Sequence, residues 1–115
     1  MTWTKLSDTF YDDPKVLAAG NEAVGLHARA LTYCARHLTD GLVPKEMARQ
    51  LGKPSAIQTL LDTGFWREKG GNYIVADYFP DQESREEVEA RRAQDARRKR
   101  ESRGASRRSP AGVTP

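Results

Sequence analysis

Residues 42–78 decide the fold, and they read LVPKEMARQLGKPSAIQTLLDTGFWREKGGNYIVADY. After a minimal strand at 42–43, Pro44 opens a helix over 45–51, because proline fits the first turn of a helix. The next three residues, 52–54 with the sequence GKP, break this helix, since glycine and proline have the lowest helix propensities. We therefore expect a strand, a short helix and a tight turn in this order.

A second helix is expected directly after that turn. Ser55 and Gln58 have the spacing of a capping box, and Gly64 is suited to the left-handed conformation that ends many helices. The apolar residues between these signals fall on one helical face, at Ile57, Leu60 and Leu61. Two short helices around a three-residue turn that contains glycine are the pattern of a helix-turn-helix.

Two β-rich runs, 65–69 and 72–78, flank the dipeptide Gly70-Gly71. Glycine accepts the positive φ angles of two-residue hairpin turns, so the pattern predicts a tight β-hairpin. A helix-turn-helix followed by a hairpin has the element order of a winged helix. We predict an α+β, mainly helical fold: a winged helix-turn-helix with a short β-hairpin wing, a charged C-terminal helix and a disordered tail.

Two helices are also expected before the strand at 42–43. Asp13-Pro14 has the form of a cap and first turn of a short helix. Apolar residues within 21–38 recur at spacings of three, four and seven, which predicts one face of a long helix with Asn21 as its N-cap. Residues 39–41, TDG, supply the stop. The aromatic side chains expected to pack over the domain are Trp3, Phe10 and Tyr11.

Apolar residues and charge divide the chain into three parts. Residues 1–80 hold nearly all the large apolar residues and balance nine Lys/Arg against nine Asp/Glu, and we assign them to the winged-helix domain. Residues 81–103 are expected to form a charged, basic-ended helical arm, and residues 104–115 a disordered tail. The net charge is −4 over 81–90 and +7 over 91–108, so the basicity lies in the arm and the tail.

Length and composition exclude several classes of protein. A chain of 115 residues leaves no room for a two-domain enzyme. With 37% hydrophobic residues and a mean hydropathy of −0.76, it has no apolar run long enough to span a bilayer. Its single cysteine, Cys34, forbids an internal disulfide, and the N-terminal residues lack the pattern of a signal peptide. We therefore expect a cytoplasmic protein that does not bind membranes.

Motifs for catalysis or metal binding are missing from the sequence. It has no glycine-rich phosphate loop, no H-E-x-x-H and no G-x-S-x-G. His27 and His37 share one predicted helix with Cys34, but ten residues separate the histidines by about 15 Å along the axis, too far for one metal ion. We expect no enzyme activity, no cofactor and no metal, with Cys34 in the core and both histidines at the surface.

Four stretches of the sequence together resemble a known family. They are TWTKLSDTFYDDPKV at 2–16, GLHARALTYCARHLTDGLVP at 25–44, LLDTGFWREKGGNYIVADYF at 60–79 and SREEVEARRAQDARRKRESR at 84–103. They resemble the small winged-helix DNA-binding proteins of actinobacterial phages and prophages, which are similar to the N-terminal domains of phage replication-initiation (replisome-organiser) proteins. The resemblance implies DNA binding in phage replication or regulation, in the cytoplasm of a bacterial host.

Three groups of residues are candidates for DNA binding. The outward face of the second helix of the helix-turn-helix would enter the major groove, where Gln58 is suited to adenine and the hydroxyls of Ser55 and Thr59 to phosphates, whereas Asp62 repels phosphate. Basic residues that flank this helix are expected to contact phosphates, namely Lys45, Arg49, Lys53, Arg67 and Lys69. The arm adds Arg91, Arg92, Arg97, Arg98, Lys99 and Arg100.

Two functions of different classes remain open. One is a DNA-binding protein that acts on duplex DNA in replication initiation or transcription regulation. The other is an adaptor whose winged helix docks on a replication or transcription protein, since winged helices also bind proteins. The arm likewise has two interpretations, an arginine-rich segment that orders on DNA or RNA and a solubilising extension. A nuclease accessory ranks last, because the sequence lacks clustered acids to hold a metal.

Overall fold

Helices and strands follow one another in the predicted order. The computed structural model describes residues 2–113, with side chains described over 2–104. A 3₁₀ turn, Phe10–Asp12, precedes α1 (Pro14–His37), β1 (Leu42–Val43), α2 (Lys45–Leu51), α3 (Pro54–Thr63), β2 (Trp66–Lys69), β3 (Asn72–Val75) and α4 (Arg85–Val113). Over the described residues the fold is α+β and mainly helical, with four helices and a three-stranded antiparallel sheet, an arrangement compatible with a winged helix.

α1 contains both helices that the sequence predicts before β1. Its first turn is capped by Asp13, whose Oδ1 accepts a hydrogen bond from the backbone N–H of Lys15 at 2.8 Å. Gly20 interrupts the helix with φ 82° and ψ 166°, a combination that only glycine adopts readily. The break therefore lies at Gly20, and the predicted N-cap at Asn21 is displaced by one residue because Asn21 is already helical.

α1 ends earlier than the predicted stop at residues 39–41. Leu38 takes the left-handed cap position with φ 54°, although it is not a glycine. Gly41 has φ 92°, but its main constraint is the buried ring of Tyr78, because a Cβ at Gly41 would lie 2.9 Å from the Cβ of Tyr78. Gly41 is thus needed where the backbone passes close to Tyr78, and the helix itself ends three residues earlier.

Gly52 and Lys53 alone connect α2 to α3, so the turn is one residue shorter than predicted. Pro54 occupies the first helical position of α3 and Lys53 is the N-cap, with no side-chain hydrogen bond at this cap. The predicted capping box at Ser55 is wrong, because the preset φ of Pro54 starts the helix before it. Gly52 allows close packing, since a Cβ there would lie 3.0 Å from both methyl groups of Leu26.

The hairpin confirms the prediction from Gly70-Gly71. β2 and β3 pair antiparallel, with Trp66 opposite Val75 and Lys69 opposite Asn72, and β1 pairs with the other edge of β3. Gly70 and Gly71 have φ angles of 56° and 82°, as expected for the two central residues of a tight hairpin turn. The strand order is β1-β3-β2.

The core forms where α1 packs against α3 and the sheet. Its fully buried side chains include Ala30, Cys34, Val43, Leu60 and Trp66. The prediction that Trp3 and Tyr11 pack over the domain is wrong, because they are 73% and 76% exposed, whereas Phe10 is half-buried. Aromatic character alone does not establish burial, since much of a protein surface is apolar.

His27 lies inside the core, so its predicted surface position is wrong. Only 6% of its surface is exposed, and its Nδ1 accepts a hydrogen bond from Trp66 Nε1 at 3.1 Å. The ring of Phe65 lies 4.7 Å away. Burial lowers the pKa of His27 from 6.5 to about 4, because desolvation disfavours the charged imidazolium. His37, by contrast, is exposed, as predicted.

The described chain divides into two units, one ending at Arg85 and one beginning at Glu86. In the first unit, Gln82 is buried, and its amide accepts from the backbone N–H of Lys5 at 2.9 Å and donates to the Lys5 carbonyl at 2.5 Å. This pair of bonds fastens the N-terminal segment to residues beyond Pro80, so the folded structure extends past the boundary placed there from composition.

α4 extends further than the predicted helical arm. Its backbone continues through Gly104 to Val113, where the sequence predicts a disordered tail at 104–115. A single glycine costs a helix only about 1 kcal/mol relative to alanine, which by itself does not end it. Residues 114–115 lie outside the described residues. Within 2–113, no helix has both the length and the apolar character needed to cross a bilayer.

Candidate nucleic-acid interface

The outer face of α3 presents the three polar residues predicted to contact DNA. Ser55 and Gln58 are exposed, and Thr59 is half-buried with its hydroxyl donating to the Ser55 carbonyl at 3.0 Å. Gln58 Nε2 donates to Asp62 Oδ1 at 2.8 Å. A glutamine amide has two N–H donors and one acceptor oxygen, so Gln58 retains the donor and the acceptor that the adenine edge requires.

A groove of about 240 Å³ separates α3 from the hairpin. Ile57, Gln58 and Leu61 of α3 line one side, and Glu68 of β2 and Tyr73 of β3 line the other. Alternate residues of a strand point to opposite faces, which explains why Glu68 shares a side with the buried Trp66. The charged residues that line the groove are thus Glu68 on the hairpin side and Arg49 from α2.

The same alternation separates two predicted contacts from α3. Arg67 and Lys69 are exposed and lie on the face of the hairpin opposite to Glu68. Lys69 is next to the turn and pairs in register with Asn72, whose Oδ1 accepts from the backbone N–H of Lys45 at 3.1 Å. Lys45 and Lys69 thus flank the tip of the hairpin, whereas Arg67 lies further from the tip along β2.

Two further predicted bases lie beside the α2–α3 turn. Arg49 Nη1 lies 3.3 Å from Glu46 Oε1, and Lys53 Nζ lies 3.4 Å from Glu22 Oε1 of α1. All four side chains are more than half exposed, and such ion pairs contribute about 0–1 kcal/mol, so they exchange readily for other partners. Arg49 and Lys53 are therefore accessible to a ligand with stronger negative charge.

Sequence reasoning missed Arg29, which the fold places next to the same turn. Its Nη1 donates to the carbonyl of Leu51, the last residue of α2, at 3.2 Å. The only sequence signal was a basic residue on the polar side of α1, and nothing local connects it with residues 22 positions away. Only the packing of α1 against α2 brings this guanidinium to the turn.

The six predicted contacts of the arm all lie on α4, at Arg91, Arg92, Arg97, Arg98, Lys99 and Arg100. At 100° per residue, positions 97–100 point in four directions around the helix axis, so the bases surround α4 and do not form one stripe. Arg98 forms an ion pair with Asp95 one turn earlier. The helix therefore presents positive charge on every side.

Two ionisable side chains of the first unit, those of Cys34 and Tyr78, lie in the core. Burial raises the pKa of the Cys34 thiol, and its Sγ donates to the Leu42 carbonyl at 3.6 Å, which fits a core residue and not a nucleophile. Burial also raises the pKa of Tyr78 to about 12. Across residues 2–104, no three His, Cys, Asp or Glu side chains cluster in a way that could hold a metal ion.

Comparisons of this chain with models of protein families, with characterised proteins and with solved structures give no match. The geometry of α3, the turn and the hairpin is therefore the basis for assigning a function.

Proposed function

We propose that this chain is a DNA-binding winged-helix protein of phage or prophage type, which acts on duplex DNA in replication initiation or transcription regulation. The observation that carries the proposal is the exposed polar face of α3, placed after a two-residue turn from α2 and before a tight hairpin. In a helix-turn-helix, the second helix enters the major groove. α3 is the second of the two helices that the turn joins, and its exposed amide at Gln58 is suited to a base edge.

Basic residues on both sides of α3 support the proposal. Arg49 and Lys53 lie at the turn that precedes it, and Lys45 and Lys69 flank the tip of the hairpin. Phosphate contacts of this kind fix the orientation of a protein on the duplex and carry no sequence information. The role proposed for these bases is therefore to position α3, while Gln58 contributes selectivity.

The second candidate is an adaptor that binds a replication or transcription protein. The observation in its favour is a pair of carboxylates near Gln58, since Glu68 lines the same groove and Asp62 Oδ1 accepts a hydrogen bond from Gln58 Nε2. Carboxylates at this position repel phosphates and are suited to a basic partner protein. The two candidates thus differ over what occupies the face of α3.

The triple variant Ser55→Ala, Gln58→Ala and Thr59→Ala tests the proposal. These side chains are outside the core, so the variant is expected to melt within about 1 kcal/mol of the parent. Duplexes selected by the parent from a randomised pool provide the preferred site. On that site the variant is expected to lose about 1–3 kcal/mol per lost base contact, while its binding to unselected duplexes stays unchanged.

Thr32→Ala is the matched control, because Thr32 is an exposed helical threonine whose hydroxyl also donates to a carbonyl of its own helix, that of Arg29 at 2.8 Å. It is expected to bind both duplexes as the parent does. If the parent shows equal affinity for every duplex at physiological salt, sequence-specific recognition is wrong. If, in addition, the triple variant loses a protein partner that the parent retains, the adaptor is the correct function.

A further inference from the structure

A wide depression of about 640 Å³ lies between α1 and the α2–α3 turn. Its charged lining residues are Glu22 and Arg29 from α1, Arg49 from α2 and Lys53 from the turn. Gly25 contributes no side chain to its α1 wall, and a Cβ there would meet no atom within 4 Å, so this wall stays low. The depression is open enough to admit the phosphate group of a polymer.

Three cations against one acid make this depression electropositive. The guanidinium of Arg29 is held in place by its bond to the Leu51 carbonyl, which uses only one of its five N–H donors. The remaining donors are available to oxygens of a phosphate, for which the planar arginine fork is well suited. Among the predicted contacts in unit one, only Arg49 and Lys53 share the depression with this preorganised arginine.

The depression lies next to the groove beside α3, because the two share lining residues. Arg49 and Pro54 line both of them, one at the end of α2 and the other at the start of α3. A nucleic-acid strand that brings a base edge to Gln58 would therefore have backbone phosphates near the turn. The positions of Arg29 and Lys53 extend the interface from α3 onto α1.

Glu22 is the one lining residue that opposes this use. Its carboxylate pairs with Lys53 at 3.4 Å, and the pair is exposed, with 63% and 76% of the two side chains accessible. Exposed ion pairs are screened by salt and contribute little to the free energy of unfolding, so a phosphate that attracts Lys53 separates it from Glu22 with little loss of stability. Once Lys53 has moved to the phosphate, Glu22 remains nearby and repels it.

We propose that this depression is a phosphodiester-binding site for the backbone of duplex DNA, with Arg29 as its principal ligand, Arg49 and Lys53 as supporting ligands and Glu22 as the residue that limits its affinity. The proposal rests on the proposed function, DNA binding, and assigns α1 a part in it. It predicts weaker binding when the charge of Arg29 is removed and tighter binding when that of Glu22 is removed. A general effect of net charge predicts the same two signs, so a control outside the depression distinguishes the two explanations.

The test measures binding of a labelled 20-base-pair duplex of mixed sequence by fluorescence anisotropy over a series of salt concentrations. Each phosphate contact contributes about 0.9 to the slope of log K against log[salt]. Arg29→Gln is therefore expected to reduce the magnitude of the slope by about 0.9 and to weaken binding roughly eightfold at 0.1 M salt. Glu22→Gln is expected to strengthen binding.

Arg36→Gln is the matched control, since Arg36 is an exposed arginine two turns further along α1 and does not line the depression. It is expected to leave the slope near that of the parent. Arg29→Lys keeps the charge but not the planar fork, so it should retain the parental slope while binding more weakly. Thermal melting of each variant reports whether loss of the Leu51 bond has loosened α2.

The outcomes separate this proposal from the one on which it depends. If the parent binds no duplex, both are wrong. If the parent binds but Arg29→Gln keeps its slope, or Arg36→Gln lowers the slope equally, only the phosphodiester site is wrong. If Arg29→Gln and Arg29→Lys lose affinity, slope and melting temperature alike, the role of Arg29 is to cap α2, and the site is likewise overturned.

Discussion

The buried contact between His27 and Trp66 makes the stability of the first unit depend on pH. An unfolded histidine takes up a proton near pH 6.5, whereas the folded His27 does so only at about 4. The free energy of unfolding is therefore highest above pH 6.5. It decreases as pH falls from 6.5 to 4, because only the unfolded state takes up a proton in this range. A pKa difference of this size corresponds to about 3 kcal/mol, a large part of the 5–15 kcal/mol typical of small domains.

His27→Asn isolates this effect. The amide Oδ1 can accept from Trp66 Nε1 as the imidazole Nδ1 does, but it does not take up a proton in this range. Urea unfolding at pH 7.5, 5.5 and 4.5 gives the free energy of unfolding of both proteins. The parent is expected to lose about 2.5 kcal/mol more than the variant between pH 7.5 and 4.5, even though the smaller side chain lowers the stability of the variant at every pH.

A parallel decline of parent and variant would refute the reasoning. NMR titration of the His27 ring provides a direct check, with His37→Gln used to assign its resonances. His27 lines a cavity of about 150 Å³ together with the carboxylates of Asp13, Asp77 and Asp81, which favour the imidazolium, and the ammonium groups of Lys5 and Lys15, which disfavour it. A measured pKa at or above 6.5 would mean that these carboxylates outweigh desolvation.

Two further predictions concern the turns and the arm. Gly41→Ala is expected to destabilise the protein by about 2–4 kcal/mol, because the alanine must adopt a positive φ and its Cβ would lie 2.9 Å from Tyr78. Gly70→Ala also requires a positive φ, but its Cβ meets no atom within 4 Å, so it is expected to cost only about 1–2 kcal/mol. Chemical denaturation of both variants compares the two losses, and equal losses would contradict the packing argument. Removal of residues 86–115 is expected to flatten the salt dependence of duplex binding strongly, because an arm that neutralises about five phosphates contributes a slope of about −4 to −5. An unchanged slope in the truncated protein would mean that the arm is a solubilising extension.

Local signals in the sequence predicted the elements around α3 well. Gly70-Gly71 specified the hairpin turn, and Pro44 and Gly64 marked one end each of α2 and α3, because each of these residues acts on its own backbone. Where two local signals competed, the prediction failed. Pro54 and Ser55 both favour a helix start, and the fixed φ of the proline decided it.

Contacts between distant residues account for most of what sequence reasoning missed. His27 shares the apolar stripe of α1 with Ala23 and Ala30, a spacing that the predicted surface position did not take into account, and its partner Trp66 is 39 residues away. Arg29 reaches the α2–α3 turn only through the packing of α1 on α2. Arg67 lies on the outer face of the hairpin because its neighbour Trp66 packs into the core.

Gln82 brings the two ends of the first unit together, because its amide forms two hydrogen bonds with the backbone of Lys5 although 77 residues separate the two. The polypeptide thus enters and leaves this unit at one place. Chains with adjacent ends tolerate circular permutation, so the unit should still fold when a short linker joins residues 2 and 85 and a new opening is made between Gly70 and Gly71. By the same geometry, a domain fused ahead of Lys5 would be tethered beside the residues that lead into α4.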